Sequence, residues 1–468
     1  MRIHPTLDLP PEEMRQLGYK IIDLLVDHFA SLPNGKTGAF ATRSFLEPRL
    51  HEAMPQYGTA PETILKKLDE DVLSYSMSLN HPRFFGFIPS PSNFVSVLAD
   101  LLASGFNVFS GNWLEGSGPS EIELIALGWL REICGFPKDG GGVIVDGGSI
   151  ANLIALAVAR EVKLPENYEK GMVYCSDQTH SSVEKAMRVL GFKPSQLRKL
   201  PSDENFRLRI ADLMTEVEAD RKQGKIAFCV VANAGTTNTG AVDPLAELAG
   251  YCRKEGLWLH VDGAYGAPAR LCEEGRKALH GIEEADSLTV DPHKWLFQPY
   301  EIGCVFVRDS RLMQKAFRVV PEYLKDAELS PDEINFCDYG IQLTRSFKAL
   351  KLWMSLKVFG VESFRVAVEK GFQLAALTEK TLRASKKFQV VTPAQLGIVS
   401  FRYQAGDEAL QHQLVEAMLD EGFAVVSSTV LRGQTVIRMC TINPRTTEDD
   451  ILNTVKRMEK IGDRLRIS

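Results

Sequence analysis

The chain has 468 residues, too many for one small core, so two or three structural units around at least one large α/β body are expected. Apolar residues at 44% and charged residues at 24% give the balance of an ordinary soluble globular protein. A formal net charge of −6 disfavours nucleic acid as a partner, and no apolar run approaches the roughly 18 residues a membrane-spanning helix needs.

In chain order, M-R-I-H-P-T-L-D-L-P has no apolar core of the kind that directs secretion. Pro10-Pro11-Glu12-Glu13 then opens a helix, with proline in the first turn and acids at the positive end of the dipole. Met14, Leu17, Ile21, Leu25 and Phe29 recur at helical spacing, and Leu32-Pro33-Asn34-Gly35 ends the run. Residues 1–75 have too little apolar mass to form a core alone. They are expected to be a helical segment that packs on the main body or on a second subunit.

From Asn80 the chain turns aromatic and turn-rich: N-H-P-R-F-F-G-F-I-P-S, then the helical L-A-D-L-L-A-S, then F-N-V-F-S-G-N-W. Ser120 with Glu123 reads as a capping box for the next helix. Phe85, Phe87, Phe106, Phe109 and Trp113 are either core residues or the walls of an aromatic substrate pocket. Residues 142–308 alternate strand and helix, with strands expected at 142–145, 172–175, 226–232, 257–261, 287–290 and 304–307. None shows period-two alternation, as expected of strands covered on both faces, so a largely parallel sheet follows. Beyond about residue 345 come a long helix, short strands at 397–403, 423–426 and 434–439, and a last helix. The organisation expected is an N-terminal segment (1–75), a large α/β unit (76–350) and a smaller α+β unit (351–468).

Several strand ends carry polar groups. V-I-V-D-G-G-S-I-A-N ends a strand, turns at Gly147-Gly148 and places Ser149 where a helix N-cap belongs. Such a helix start can hold a phosphate, though Gly-Gly-Ser is also an everyday βα turn. In S-D-Q-T-H-S-S-V-E-K-A, His180 lies between a strand and a helix. It is either a loop histidine or a group that stacks on a cofactor ring. V-V-A-N-A-G-T-T-N-T-G ends in a turn where Thr236 or Thr237 could donate a hydrogen bond. L-W-L-H-V-D ends in Asp262, and S-L-T-V-D-P-H-K-W-L-F leaves its strand at Asp291-Pro292 and presents His293 and Lys294. In an open α/β sheet such ends face one crevice. A lysine and an acid there suit pyridoxal 5'-phosphate, the lysine as Schiff-base partner and the acid holding the pyridine nitrogen protonated. No P-loop and no G-x-G-x-x-G follows a strand, so nucleotide binding is the weaker reading. The eight cysteines are scattered without a C-x-x-C pair, which fits reduced thiols in a cytoplasmic protein, and no clustered ligands suggest a metal.

The motifs N-H-P-R-F-F (80–85), S-D-Q-T-H-S-S-V-E-K-A (176–186), W-L-H-V-D-G-A-Y-G (258–266) and D-P-H-K-W-L (291–296) resemble those of the pyridoxal-phosphate-dependent group II amino acid decarboxylases, most of all the aromatic-L-amino-acid branch. The resemblance spans nearly the whole chain. It implies the fold type I of pyridoxal-phosphate transferases, a homodimer with active sites at the interface, and decarboxylation of an aromatic L-amino acid to its amine. By motif, Lys294 is the Schiff-base lysine, Asp262 the pyridine-nitrogen partner and His180 the ring-stacking group. Gly148, Ser149 and His293 lie around the phosphate end, and Thr236 sits beside the cofactor. Phe87, Ile88 and Pro89 wall the substrate, with Phe106 and Trp113 as further aromatic candidates.

Two departures stand out. Asp291 occupies a position where many relatives carry asparagine, which adds an acid near the phosphate end. The segment 321–345 resembles the family's mobile catalytic loop, and aligning back from Arg345 and Phe347 puts Phe336 in place of the loop tyrosine that returns a proton to the substrate. Phenylalanine has no proton to give, and in relatives described as aromatic aldehyde synthases it accompanies reaction with O₂ to an aldehyde, ammonia and hydrogen peroxide. Tyr339, three residues on, is the other candidate for the loop position. Transamination, Cβ–Cγ cleavage and non-enzymatic phosphate binding are the remaining alternatives.

Overall fold

The computed structural model describes residues 7–319 and 333–467. Three helices open it: α1 (Pro11–Ser31), α2 (Arg43–Leu50) and α3 (Pro61–Asp71). Pro11 in the first turn and Glu12 and Glu13 beside it start α1 as expected. None of the three helices fully buries a residue, and Met14, Tyr19, Ile64 and Leu68 remain exposed. Their apolar faces thus lack a full partner among the described residues.

Next come α4 (Phe94–Gly105) and α5 (Trp113–Cys134). The capping box expected at Ser120 and Glu123 does not form. The helix already starts at Trp113, where Asn112 accepts the Glu115 amide at 2.8 Å, and it bends at Gly116. Glu123 is buried, pairs with Arg345 at 2.5 Å and accepts the Ile144 amide at 3.0 Å, so its carboxylate is committed elsewhere.

The main sheet has seven strands: β1 (Gly141–Val145), β2 (Gly171–Ser176), β3 (Leu197–Leu200), β4 (Ile226–Asn233), β5 (Trp258–Asp262), β6 (Ser287–Val290) and β7 (Gly303–Val307). Their order is β1-β7-β6-β5-β4-β2-β3, and only β7 runs against its neighbours. All six expected strands are present. The unexpected one is β3, whose L-R-K-L is half polar because it lies at the edge of the sheet. Between the strands run α6 (Gly148–Lys163), α7 (Ser181–Val189), α8 (Ile210–Lys222), α9 (Leu245–Glu255) and α10 (Glu273–Ala278). The two-sided burial that removes period-two patterning is visible in the core, where Val230, Val231, Leu259, Val261, Leu288 and Val290 are all buried.

After α11 (Arg311–Phe317), the long α12 (Ala349–Ala384) packs along α4 and α5 and bends at Gly360, whose φ of 72° suits glycine. A second sheet of β8 (Phe388–Gln395), β9 (Ile398–Tyr403), β10 (Ser427–Leu431) and β11 (Gln434–Cys440) follows, in the order β10-β11-β9-β8. It is antiparallel throughout and packs with α13 (Glu408–Glu421) and α14 (Glu448–Ile467) around Phe401, Leu414, Met439 and Ile451. The strand expected at 423–426 is not part of this ladder. Val425 bridges Phe84 instead, and its carbonyl accepts the Phe85 amide at 2.8 Å. Two strands of this sheet are unexpected, β10 and β8, and β8 contains Pro393 and pairs with irregular register, which hides it from pattern reading. No described helix is long and apolar enough to cross a membrane.

Candidate active site

The ends of β1, β2, β4, β5 and β6 surround one cavity of about 410 Å³. Ladder pairing sets their positions: Asn233 on β4 is opposite Asp262 on β5, which is opposite Thr289 on β6. Beyond β6, Pro292 ends the strand and a tight turn closes with the Lys294 amide on the Asp291 carbonyl at 3.0 Å. The next residue, Trp295, is fully buried and stacks between Tyr265 (5.3 Å) and Phe372 (5.4 Å). That packing fixes the backbone from which Lys294 reaches the cavity.

Lys294 Nζ lies 2.9 Å from Asp291 Oδ2. Burial alone would lower the lysine pKa, but the adjacent carboxylate outweighs it, and the net shift is upward from 10.5. The other oxygen, Asp291 Oδ1, is buried without a hydrogen-bond partner. Burial lowers the pKa of His293 despite Asp291, and its Nδ1 donates to the Ile302 carbonyl at 2.7 Å.

At the end of β1, Gly147 rather than Ser149 is the N-cap of α6, with φ of 142°. Ser149 therefore lies one step inside the helix. The cause is close packing: a Cβ on Gly303 would meet the Gly147 Cα at 2.3 Å, and a Cβ on Gly148 would meet Asp291 Oδ2 at 2.9 Å. No side chain caps this helix, so its first amides remain available to an anion.

Asp262 is buried at the cavity wall. Its Oδ2 accepts from Asn152 Nδ2 at 2.9 Å and its Oδ1 from the Ala264 amide at 3.2 Å. His180 caps α7, its Nδ1 accepting the Ser182 amide at 3.2 Å and lying 2.9 Å from Ser182 Oγ. Thr236 is buried against Thr239 and lines the cavity with Thr237. Lys294, Asp262, His180, Gly148, Ser149, Thr236, Asp291 and His293 thus all line one cavity.

The aromatic candidates do not. Phe87 and Phe106 are exposed, and neither they nor Ile88, Pro89 and Trp113 line the cavity. Phe336 is buried under the Arg345 guanidinium (5.0 Å) and against Tyr339 (6.1 Å), in a separate small space below β1 and β7. The preceding part of that loop, 320–332, lies outside the described residues. Sequence reasoning missed Asn152 and His260. Both sit in apolar contexts, and a buried asparagine inside A-N-L-I-A was the available signal.

Residues 45–404 match the family model described as the pyridoxal-dependent decarboxylase conserved domain. The chain belongs to this family. It is 47% identical over 470 residues to an aromatic-L-amino-acid decarboxylase of Bacillus atrophaeus, covering 99% of this chain and 98% of that one. A phenylacetaldehyde synthase of Petunia hybrida is 31% identical over 464 residues, covering 94% and 92%. The crystal structure of Oryza sativa TDC with PLP and tryptamine matches with a TM-score of 0.93 at 28% identity, over 99% of this chain and 100% of that one.

The decarboxylase is a carboxy-lyase of fold type I with pyridoxal 5'-phosphate as cofactor. Its residues fit that group. An uncapped helix start that tolerates only glycine suits a phosphate, an oriented carboxylate suits a pyridinium nitrogen, and a lysine in the same cavity suits an aldehyde. Among the described residues no group of three or more His, Cys, Asp or Glu could hold a metal.

Proposed function

We propose that this decarboxylase removes CO₂ from an aromatic L-amino acid and releases the amine, as a cytoplasmic homodimer. The observation that carries this reading is the meeting of Lys294, Asp262 and His180 at one cavity. The chain that holds them is 47% identical, end to end, to an aromatic-L-amino-acid decarboxylase.

When bound, the cofactor supplies the electron sink for the pair left behind by the carboxylate. Lys294 provides the amine that ties the aldehyde to the chain and gives way to the substrate amine. Asp262 would face the pyridine nitrogen and favour its protonated form. Gly148, Ser149 and His293 would hold the phosphate, Thr236 would lie beside the ring, and His180 would cover the ring and keep water from it. Asp291 keeps the proton on Lys294 Nζ until the amine is needed.

The exposed apolar faces of α1, α3 and α4 support the homodimer, with residues 1–75 as its dimerisation segment beside the large (76–350) and small (351–468) units. Phe87, Ile88, Pro89, Phe106 and Trp113 then wall the substrate from the subunit interface. Eight free cysteines, seven of them buried, support a reducing compartment.

The second reading is O₂-dependent decarboxylation–deamination to an aldehyde, ammonia and hydrogen peroxide, favoured by phenylalanine at position 336. Phe336 and Tyr339 lie together in a separate space away from the cavity, and the 47% identity to an aromatic-L-amino-acid decarboxylase is what favours the amine. Purified, cofactor-loaded enzyme given Phe, Tyr, Trp and L-dopa under air decides between them. Amine in step with CO₂ and without peroxide is expected. Aldehyde with matching peroxide overturns the amine assignment, and turnover of none of the four overturns the aromatic one.

A further inference from the structure

Asp262 and His180 are joined through a buried asparagine and Ser182. Trp258, whose indole N–H can only donate, donates to Ser287 Oγ at 2.8 Å. Ser287 Oγ lies 2.9 Å from His260 Nδ1. Burial pushes the His260 pKa down to about 4, so the ring is neutral at neutral pH and its one proton sits on Nε2. That nitrogen donates to Asn152 Oδ1 at 3.0 Å, and Thr289 Oγ1 donates to the same oxygen at 2.7 Å.

With its oxygen taken by two donors, Asn152 must turn its amide nitrogen the other way. Nδ2 donates to Asp262 Oδ2 and to Ser182 Oγ, both at 2.9 Å. Ser182, now an acceptor, sends its own proton to His180 Nδ1 at 2.9 Å, where the Ser182 amide also donates. The Ala264 and Ser182 amides, which can only donate, fix Asp262 Oδ1 and His180 Nδ1 as acceptors.

We propose that Asn152 is a positioning residue for the cofactor. With its oxygen held by His260 and Thr289, its amide keeps Asp262 as a fixed acceptor for the pyridinium and, through Ser182, keeps His180 in place. This rests on the cofactor assignment above. Asn152 also lines the cavity, and in this role it acts through Asp262 and His180.

Asn152→Asp tests it, because the change keeps an acceptor for His260 and Thr289 and replaces a donor to Asp262 with a second carboxylate. The two acids facing each other should share one proton, so cofactor affinity should become pH-dependent in a way the wild type's is not. The groups that face this pair are His260 on β5, His180 at the start of α7, and Lys294, Asp291 and His293 beyond β6. All are present in both proteins, so the ratio of dissociation constants isolates the pair. Affinity of the cofactor-free protein for pyridoxal 5'-phosphate, read by fluorescence titration, should fall about tenfold or more at about pH 8 and recover most of that loss at about pH 6, where the shared proton restores a donor. Asn152→Leu, of similar volume but with no polar atom, should weaken binding equally at both values. Thermal melting of each cofactor-free variant reports folding separately. Wild-type affinity in Asn152→Asp, or an equal loss at both pH values in a folded variant, overturns the proposal. A wild-type protein that binds no pyridoxal 5'-phosphate would instead overturn the cofactor assignment on which it rests.

Discussion

Residues at the strand ends and residues in the aromatic loops behave differently. Lys294, Asp262, His180, Thr236 and Gly148 come from five places in the chain, yet one cavity contains them all. Phe87, Phe106, Trp113, Phe336 and Tyr339 come from stretches with equally clear motifs, yet none reaches that cavity. The first group is positioned by hydrogen-bonded ladders whose register is set by a core buried on both faces. The second group depends on whatever packs against the loops. For Phe106, 79% exposed at the end of α4 beside exposed Leu101 and Leu102, little among the described residues packs against it. The chemistry proposed for the site thus lies on the sheet, and the specificity proposed for it lies on exposed loops.

The hardest test of the first group is Lys294→Ala. Without the amine the loaded enzyme should lose about a thousandfold or more of its decarboxylase rate. Borohydride reduction should attach the cofactor to the wild-type chain and to none of the variant, as read by mass spectrometry. Retained covalent labelling would mean that another lysine carries the aldehyde. The corresponding test of the second group is Phe106→Asp, which places a charge in the exposed apolar patch without touching the cavity. If α4 lies in a dimer interface, loss of an aromatic anchor should weaken association by about 2 kcal/mol or more, roughly thirtyfold. Activity should fall with protein dilution much sooner than in the wild type. Sedimentation of the two proteins at matched concentrations checks it, and identical sedimentation with unchanged activity would confine the site to one chain.

The same contrast explains what was legible in the sequence. The six strands at 142–145, 172–175, 226–232, 257–261, 287–290 and 304–307 could be read because strands buried on both faces are continuous apolar runs. The edge strand β3 and the irregular β8 could not, because half their residues face solvent or a bulge. The polar strand-end residues could be read because a polar group after a buried strand has few places to go. Ser149 was legible as part of the helix start but two positions out, since the cap is Gly147, whose φ of 142° suits glycine and which packs against Gly303 on the neighbouring strand. Glu123 was misread as a cap because its true partner, Arg345, is more than two hundred residues away. Asn152 and His260 were silent for the same reason: their partners lie on other elements, and only the fold brings Ser287 and Thr289 to them.

Asp291 belongs to both groups, a strand-end residue whose identity departs from the pattern, and its removal sharpens the comparison by the smallest expected amount. In the cofactor-free protein its Oδ2 holds Lys294 Nζ at 2.9 Å, and this attraction outweighs the downward pull of burial on the lysine. A raised lysine pKa means that the pair stabilises the folded state fully below the unfolded value of 10.5 and loses that effect only as pH rises through the folded value. Asp291→Asn keeps the shape and removes the charge, so the lysine pKa should drop, and the free amine should be more abundant at any given pH. The rate at which the cofactor attaches to the chain should then follow a pH profile displaced to lower pH by about one unit, which is about tenfold faster attachment near neutrality. The cofactor-free variant should also melt at a lower temperature across the neutral range, where the wild-type pair is intact. Both effects come from one contact, so they should appear together. A superimposable attachment profile would mean that Asp291 spaces the turn before Lys294 and leaves its proton alone.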